Sequence, residues 1–95
     1  MRKYEVMYII RPDLDQEPTK ELVEKFQNLI TNNGGEVEKL QEMGKRRLAY
    51  EIEDYNDGYY VLINFQSEPN VVAELERVLR ITDGVIRYLI VKDVK

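Results

Sequence analysis

The run Gly44-Lys45-Arg46-Arg47-Leu48-Ala49-Tyr50-Glu51-Ile52 sets three consecutive cations in front of a period-two pattern. Leu48, Tyr50 and Ile52 alternate with Arg47, Ala49 and Glu51, which predicts a β-strand with one buried and one exposed face. On that alternation Arg47 and Ala49 share the open face, beside Lys45 or Arg46 according to where the strand begins. Asp54-Tyr55-Asn56-Asp57-Gly58 follows as a hairpin turn signal. Tyr59 to Phe65 is then so continuously apolar that it predicts a central strand buried on both faces. Two antiparallel strands joined this way pair as a hairpin, and the flanking segments decide what packs on them.

Upstream, Tyr4, Val6, Tyr8 and Ile10 alternate with Lys3, Glu5, Met7 and Ile9, giving a first strand whose even positions face the core. Arg11-Pro12-Asp13 ends it, because proline has no N–H for the ladder. Asp15 or Glu17 can cap a helix carrying Pro18 in its first turn. Leu22, Val23, Phe26, Leu29 and Ile30 make one apolar stripe of that helix, and Asn33-Gly34-Gly35 closes it. In the strand from Val37 to Ile52 the apolar parity slips between Val37 and Leu40, and Gly44 interrupts it, so a bulge or bend is expected. Downstream, Ser67 or Asn70 caps a second helix with Val72, Leu75, Val78 and Leu79 on one side, stopped by Asp83-Gly84. Ile86, Tyr88 and Ile90 then alternate with Val85, Arg87, Leu89 and Val91 in a last strand.

The order βαββαβ with two right-handed crossovers predicts an α+β, ferredoxin-like sandwich. Four antiparallel strands carry both helices on one face, with the first and third strands central and the second and fourth at the edges. Ninety-five residues make a single domain spanning 1–95.

The chain contains neither cysteine nor histidine. That excludes disulfides, Cys/His zinc sites, thiol nucleophiles and Ser-His-Asp triads together. Hydroxyl nucleophiles are scarce as well: Ser67, Thr19, Thr31 and Thr82 besides the tyrosines. No enzyme, cofactor, metal or small-molecule substrate is expected. No apolar run approaches the roughly 20 residues of a membrane helix, and Met1-Arg2-Lys3-Tyr4-Glu5 lacks the apolar core of a signal peptide. A cytoplasmic protein without a membrane partner is therefore expected.

Charge is distributed unevenly in a chain of formal net charge -4. Between Asp13 and Glu38 seven acids face Lys20 and Lys25, whereas Arg77, Arg80, Arg87 and Lys92 share their segment with Asp83 alone. With this topology Arg11, Arg80, Arg87 and the far part of the second strand fall at one end of the sheet, and Arg2, Lys3 and Lys92 at the other. Clustered cations in an acidic chain form a local anion site, with RNA phosphate the first candidate. The uncovered sheet face carries Met7, Ile9, Ala49, Val85, Leu89 and Val91 by parity, an apolar surface suited to a protein partner. The third strand echoes the aromatic strand of RNA-recognition motifs only faintly, and core packing accounts better for its tyrosines. Acylphosphatases share the architecture, but the loop Arg11-Pro12-Asp13-Leu14-Asp15 offers no glycine and two acids that repel phosphate.

Three ordered stretches resemble the bacterial small-subunit ribosomal protein S6 family across essentially the whole chain. They are Arg2-Lys3-Tyr4-Glu5-Val6-Met7-Tyr8-Ile9-Ile10-Arg11-Pro12, the run from Gly44 to Ile52, and Leu79-Arg80-Ile81-Thr82-Asp83-Gly84-Val85-Ile86-Arg87-Tyr88. The resemblance implies the same ferredoxin-like fold and a non-catalytic role on the ribosome. It implies binding to the central domain of small-subunit ribosomal RNA, together with the eighteenth small-subunit protein. By position it makes Arg2, Tyr4, Arg46, Arg47, Arg80 and Arg87 RNA-facing and gives the open face and an edge strand to the protein partner. From another class, a ferredoxin-like oligomerisation or regulatory module that pairs open faces or edge strands is the alternative.

Overall fold

In the computed structural model, which describes residues 1–52 and 54–92, the chain runs β1 (Arg2–Ile10), α1 (Gln16–Asn32), β2 (Glu36–Ile52), β3 (Tyr55–Ser67), α2 (Pro69–Ile81) and β4 (Val85–Lys92). The four strands form one antiparallel sheet in the order β2-β3-β1-β4, so the first and third strands are central. α1 lies against β2 and β3, and α2 against β4.

The helix-covered face is a sealed core. Val6, Tyr8 and Ile10 of β1 and Val61, Ile63 and Phe65 of β3 alternate inward beneath Phe26, Ile30 and Leu75. Tyr8 meets Phe26 edge to face with centroids 4.9 Å apart, a geometry that adds about 1 kcal/mol beyond the area buried. The α1 stripe inferred from its spacing is the buried one, with Thr19 joining Val23, Phe26 and Ile30. Asp15 is its N-cap by position, although its side chain makes no capping bond.

β2 contains the expected irregularities. Its register against β3 shifts between Val37 and Lys39, and again between Glu42 and Gly44. The first shift lets both Val37 and Leu40 pack against the core, which a regular strand forbids for residues three apart. Gly44 sits at φ 79° in the second bulge, a conformation that side chains resist.

Four expectations are corrected. The hairpin turn lies before Tyr55, with Ile52 paired to Tyr55 and Asp54 at φ 69°. Tyr55 to Gly58 are strand, because aspartate tolerates the left-handed turn and the ladder then extends two-sided. β3 is buried on its helix side only, and Tyr60, Leu62 and Asn64 are half-exposed on the other. α2 starts after Glu68, with Pro69 in its first turn, where a missing N–H costs nothing. Val85 pairs with Ile10 across a bulge and packs on the core, so it leaves the open face to which simple alternation assigned it.

Candidate nucleic-acid interface

Past Gly44 the β2–β3 ladder runs on regularly as far as Arg47. Arg46 pairs with Gly58 and Arg47 with Asp57, after which the register jumps to Ile52 opposite Tyr55. Pairing alternates sides, and Gly58 shares the open side of Tyr60 and Ile9, so Arg46 faces the open side and Arg47 the other. Leu48 follows Arg46 onto the open side, where its side chain lies over Gly58 together with Ile9. Ile9 and Leu48 are only 4% and 8% exposed, although no helix covers them. A Cβ on residue 58 would stand 2.2 Å from Ile9 Cγ2, so the absent side chain is what lets the hairpin lie down on the sheet.

The next inward position carries Tyr50 out to solvent, at 60% exposure. This corrects the alternation, which grouped Tyr50 with Leu48 as buried. Its hydroxyl accepts a hydrogen bond from Arg87 Nη1, reaching from the β2 edge to the β4 edge. Arg87 stands on the open side because it pairs with Ile9. Its guanidinium carbon is 5.5 Å from the Tyr50 ring centroid. A cation bonded to the hydroxyl at that distance sits at the ring's hydroxyl end rather than over its face.

The sequence-derived cations are therefore partly assembled. Arg46, Arg80 and Arg87 lie at one end of the sheet. Arg80, from the last turn of α2, and Arg87 border a common cavity of about 350 Å³ with Val85 and Tyr88. Arg46 donates to the Met43 carbonyl at 3.2 Å, which fixes the stem of its side chain and leaves its outer nitrogens free. Arg47 is exposed on the opposite side of the strand. Arg2 pairs with Ser67 at the far end, seven residues or about 23 Å along β1 from Ile9 and Arg87. Tyr4 is drawn into the core, 8% exposed and stacked on Phe65 at 5.6 Å, so it offers no ring to a ligand. The reason is its even position on β1.

Ion pairing sets apart a few of the chain's cations and leaves Arg46, Arg80 and Arg87 among the larger, unpaired number. Among the described residues the pairs are Met1 N-terminus–Glu68, Lys3–Glu38, Arg11–Asp13 and Arg77–Glu74. Arg11 grips Asp13 with two bonds of 2.7 and 2.8 Å. The bonded guanidinium holds the Asp13 carboxyl below its ordinary range and raises the arginine in turn. None of these pairs engages Arg46, Arg80 or Arg87. An unpaired, rigidly rooted set of cations at a sheet end is what a phosphate backbone meets most readily.

Of the apolar open-face set, Met7, Leu89 and Val91 remain, with Leu89 and Val91 exposed. Met7, Ile9 and Leu89 border a shallow cavity of about 170 Å³ beside Arg87. Ile9 is covered by Leu48, Val85 faces the core, and Ala49 is exposed on the hairpin instead. Sequence reasoning missed Tyr50 as a surface aromatic. Its place three residues after two arginines was the available signal, outweighed there by alternation.

Comparison with known proteins adds the family. The model described as Ribosomal protein S6 matches residues 3–92. The small ribosomal subunit protein bS6 of Exiguobacterium sibiricum is 56% identical over 95 residues, covering 100% of both chains. That of Caldanaerobacter subterraneus subsp. tengcongensis is 58% identical over 92 residues, covering 97% of each. The crystal structure of 30S ribosomal protein S6 from Thermotoga maritima superposes with a TM-score of 0.93 at 35% identity, covering 97% of this chain and 87% of that one.

Proposed function

The chain belongs to the ribosomal protein S6 family, whose members are structural, non-enzymatic proteins of the small ribosomal subunit, and on that premise we propose that it binds small-subunit ribosomal RNA through the Arg46, Arg80 and Arg87 end of its sheet. The RNA segment is in the central domain, and the eighteenth small-subunit protein binds alongside it. The work is done in the cytoplasm, as part of the ribosome. The observation that carries the reading is that Arg46, Arg80 and Arg87 lie at one end of the sheet of an acidic chain, Arg80 and Arg87 bordering one cavity.

Mechanistically this is scaffolding. Cations on a preformed strand and helix end neutralise phosphates without first having to be ordered, and they release counterions as they bind. The groove beside Met7 and Leu89 supports placing the protein partner on the open face, where apolar burial is still available. The acidic α1 side then faces away from RNA. A basic partner offsets the chain's own negative charge.

The test is a salt-titrated binding assay on the central-domain RNA, with and without the eighteenth protein. Replacing Arg46, Arg80 and Arg87 by Ala one at a time should each lower the slope of log affinity against log salt by about 1. An unchanged slope in all three variants removes this rim from the interface. A stable homodimer that ignores RNA would transfer the assignment to an oligomerisation module.

A further inference from the structure

Tyr50 is a large aromatic side chain that the fold carries outward on an otherwise anchored strand. Leu48, two residues before it, is pinned over Gly58 against Ile9. Its own hydroxyl is held by Arg87. Both ends of the ring's support are therefore fixed, yet the ring itself is 60% exposed. An aromatic residue left in water is ordinarily held loosely or turned down onto the surface. This one is tied at its hydroxyl to the opposite edge strand.

The position of the brace matters. Because Arg87 meets the hydroxyl end of the ring, it does not occupy a π-face. Two further cations lie at the same end of the sheet. Arg46 stands on the same side of β2, and Arg80 borders the same cavity as Arg87. An exposed ring at an end of the sheet that also carries arginines suits a nucleotide, whose base needs a flat apolar surface and whose phosphate needs a cation. A protein partner has less use for it, since the apolar groove of Met7 and Leu89 lies on the other side of Arg87 in the β4 register.

We propose that Tyr50 is a stacking platform for one unpaired base of the bound RNA, with Arg87 holding the ring by its hydroxyl and Arg46 and Arg80 receiving the adjoining phosphates. This rests on the RNA-binding reading and deepens it, because it assigns to the site a contact that is apolar and insensitive to salt. The gap between Leu48 and Tyr50 in exposure then has a function. One side chain secures the strand, and the next on that side is freed for the ligand.

Salt separates the stacking contact from the cationic ones. The full chain is assayed on the central-domain RNA with the eighteenth protein present, over a range of potassium chloride. Tyr50→Leu keeps an apolar side chain and removes the π-surface. It should weaken binding about tenfold with an unchanged salt slope. Tyr50→Phe keeps the ring and loses the hydroxyl tether, and should lose less than about threefold. Two results overturn the proposal. Either Tyr50→Leu binds like the parent, or it weakens binding with a slope reduced by about 1, which would make Tyr50 only a positioning residue for Arg87. If the parent chain itself shows no salt-dependent binding, the RNA reading has failed and the stacking contact falls with it. Because the ring is largely in water, unfolding is not expected, and an unchanged circular dichroism spectrum checks this for each variant.

Discussion

On one side of the sheet, Val6, Tyr8, Val61 and Phe65 are covered by two helices. On the other, Ile9 and Leu48 are buried beside Gly58 of the hairpin, with no helix over them among the described residues. Both places exclude water, but by different means. The helix side buries many side chains against separate elements, each supporting the rest. The open side buries two beside one glycine, Gly58, whose missing side chain leaves them room. The first arrangement confers stability on the whole domain. The second confers a shape on one end of it, where the cations are.

The sharpest way to break that comparison is to damage each side in turn. Phe26 is fully buried and in contact with Tyr8, and Phe26→Ala should cost about 3–5 kcal/mol. In urea the midpoint should fall while the slope stays constant, since the whole domain loses stability together. A loss below about 1 kcal/mol would mean the core tolerates a cavity of that size at its centre.

Gly58→Val attacks the other side. With Ile9 Cγ2 at 2.2 Å from the position of the new Cβ, the hairpin must lift, at a cost of about 2 kcal/mol. Amide hydrogen exchange should quicken from Arg47 to Gly58 and stay slow in β1 and α1. Equal acceleration throughout would show that the hairpin and the core are one cooperative unit rather than two.

The smallest effect concerns Tyr8, whose hydroxyl is buried without a hydrogen-bond partner among the described residues. Tyr8→Phe keeps the ring against Phe26 and should stabilise by about 1 kcal/mol. The same residue gives a pH signature. Burial, with added repulsion from Glu42 and from Tyr59, raises its phenol above the ordinary 10.0. Desolvation and the bond to Glu42 raise Tyr59 as well. A raised folded value means that the native state keeps the proton more firmly than the unfolded chain does. Stability is then full below pH 10 and declines as pH rises beyond it. Tyr8→Phe should flatten that alkaline decline, and denaturation midpoints across pH 8 to about 11 measure it.

What could be read in advance followed from local periodicity. The even positions of β1, the stripe of α1 and the slipped parity of β2 all correspond to buried faces or bulges. Each rests on neighbours a few residues apart along the chain, where alternation and helical spacing leave one consistent solution. Arg46, Arg80 and Arg87 as cations of one end followed from topology, because strand order places the end of β1, the far part of β2 and the start of β4 together. Tyr4 as a ligand contact did not follow, and the alternation that buried it was visible in the same stretch.

The chain's own pattern of apolar and polar residues determined six elements, their order and the ferredoxin-like topology, because burying the apolar face of each strand and helix admits few arrangements. Only the tertiary structure decided which of Leu48 and Tyr50 meets water. The two are equivalent by alternation along β2. What separates them is that Leu48 happens to pass over a glycine of the neighbouring strand, while Tyr50 reaches an arginine two strands further on. Contacts between residues remote in sequence have no period to betray them, and they set which side chains this end of the sheet presents.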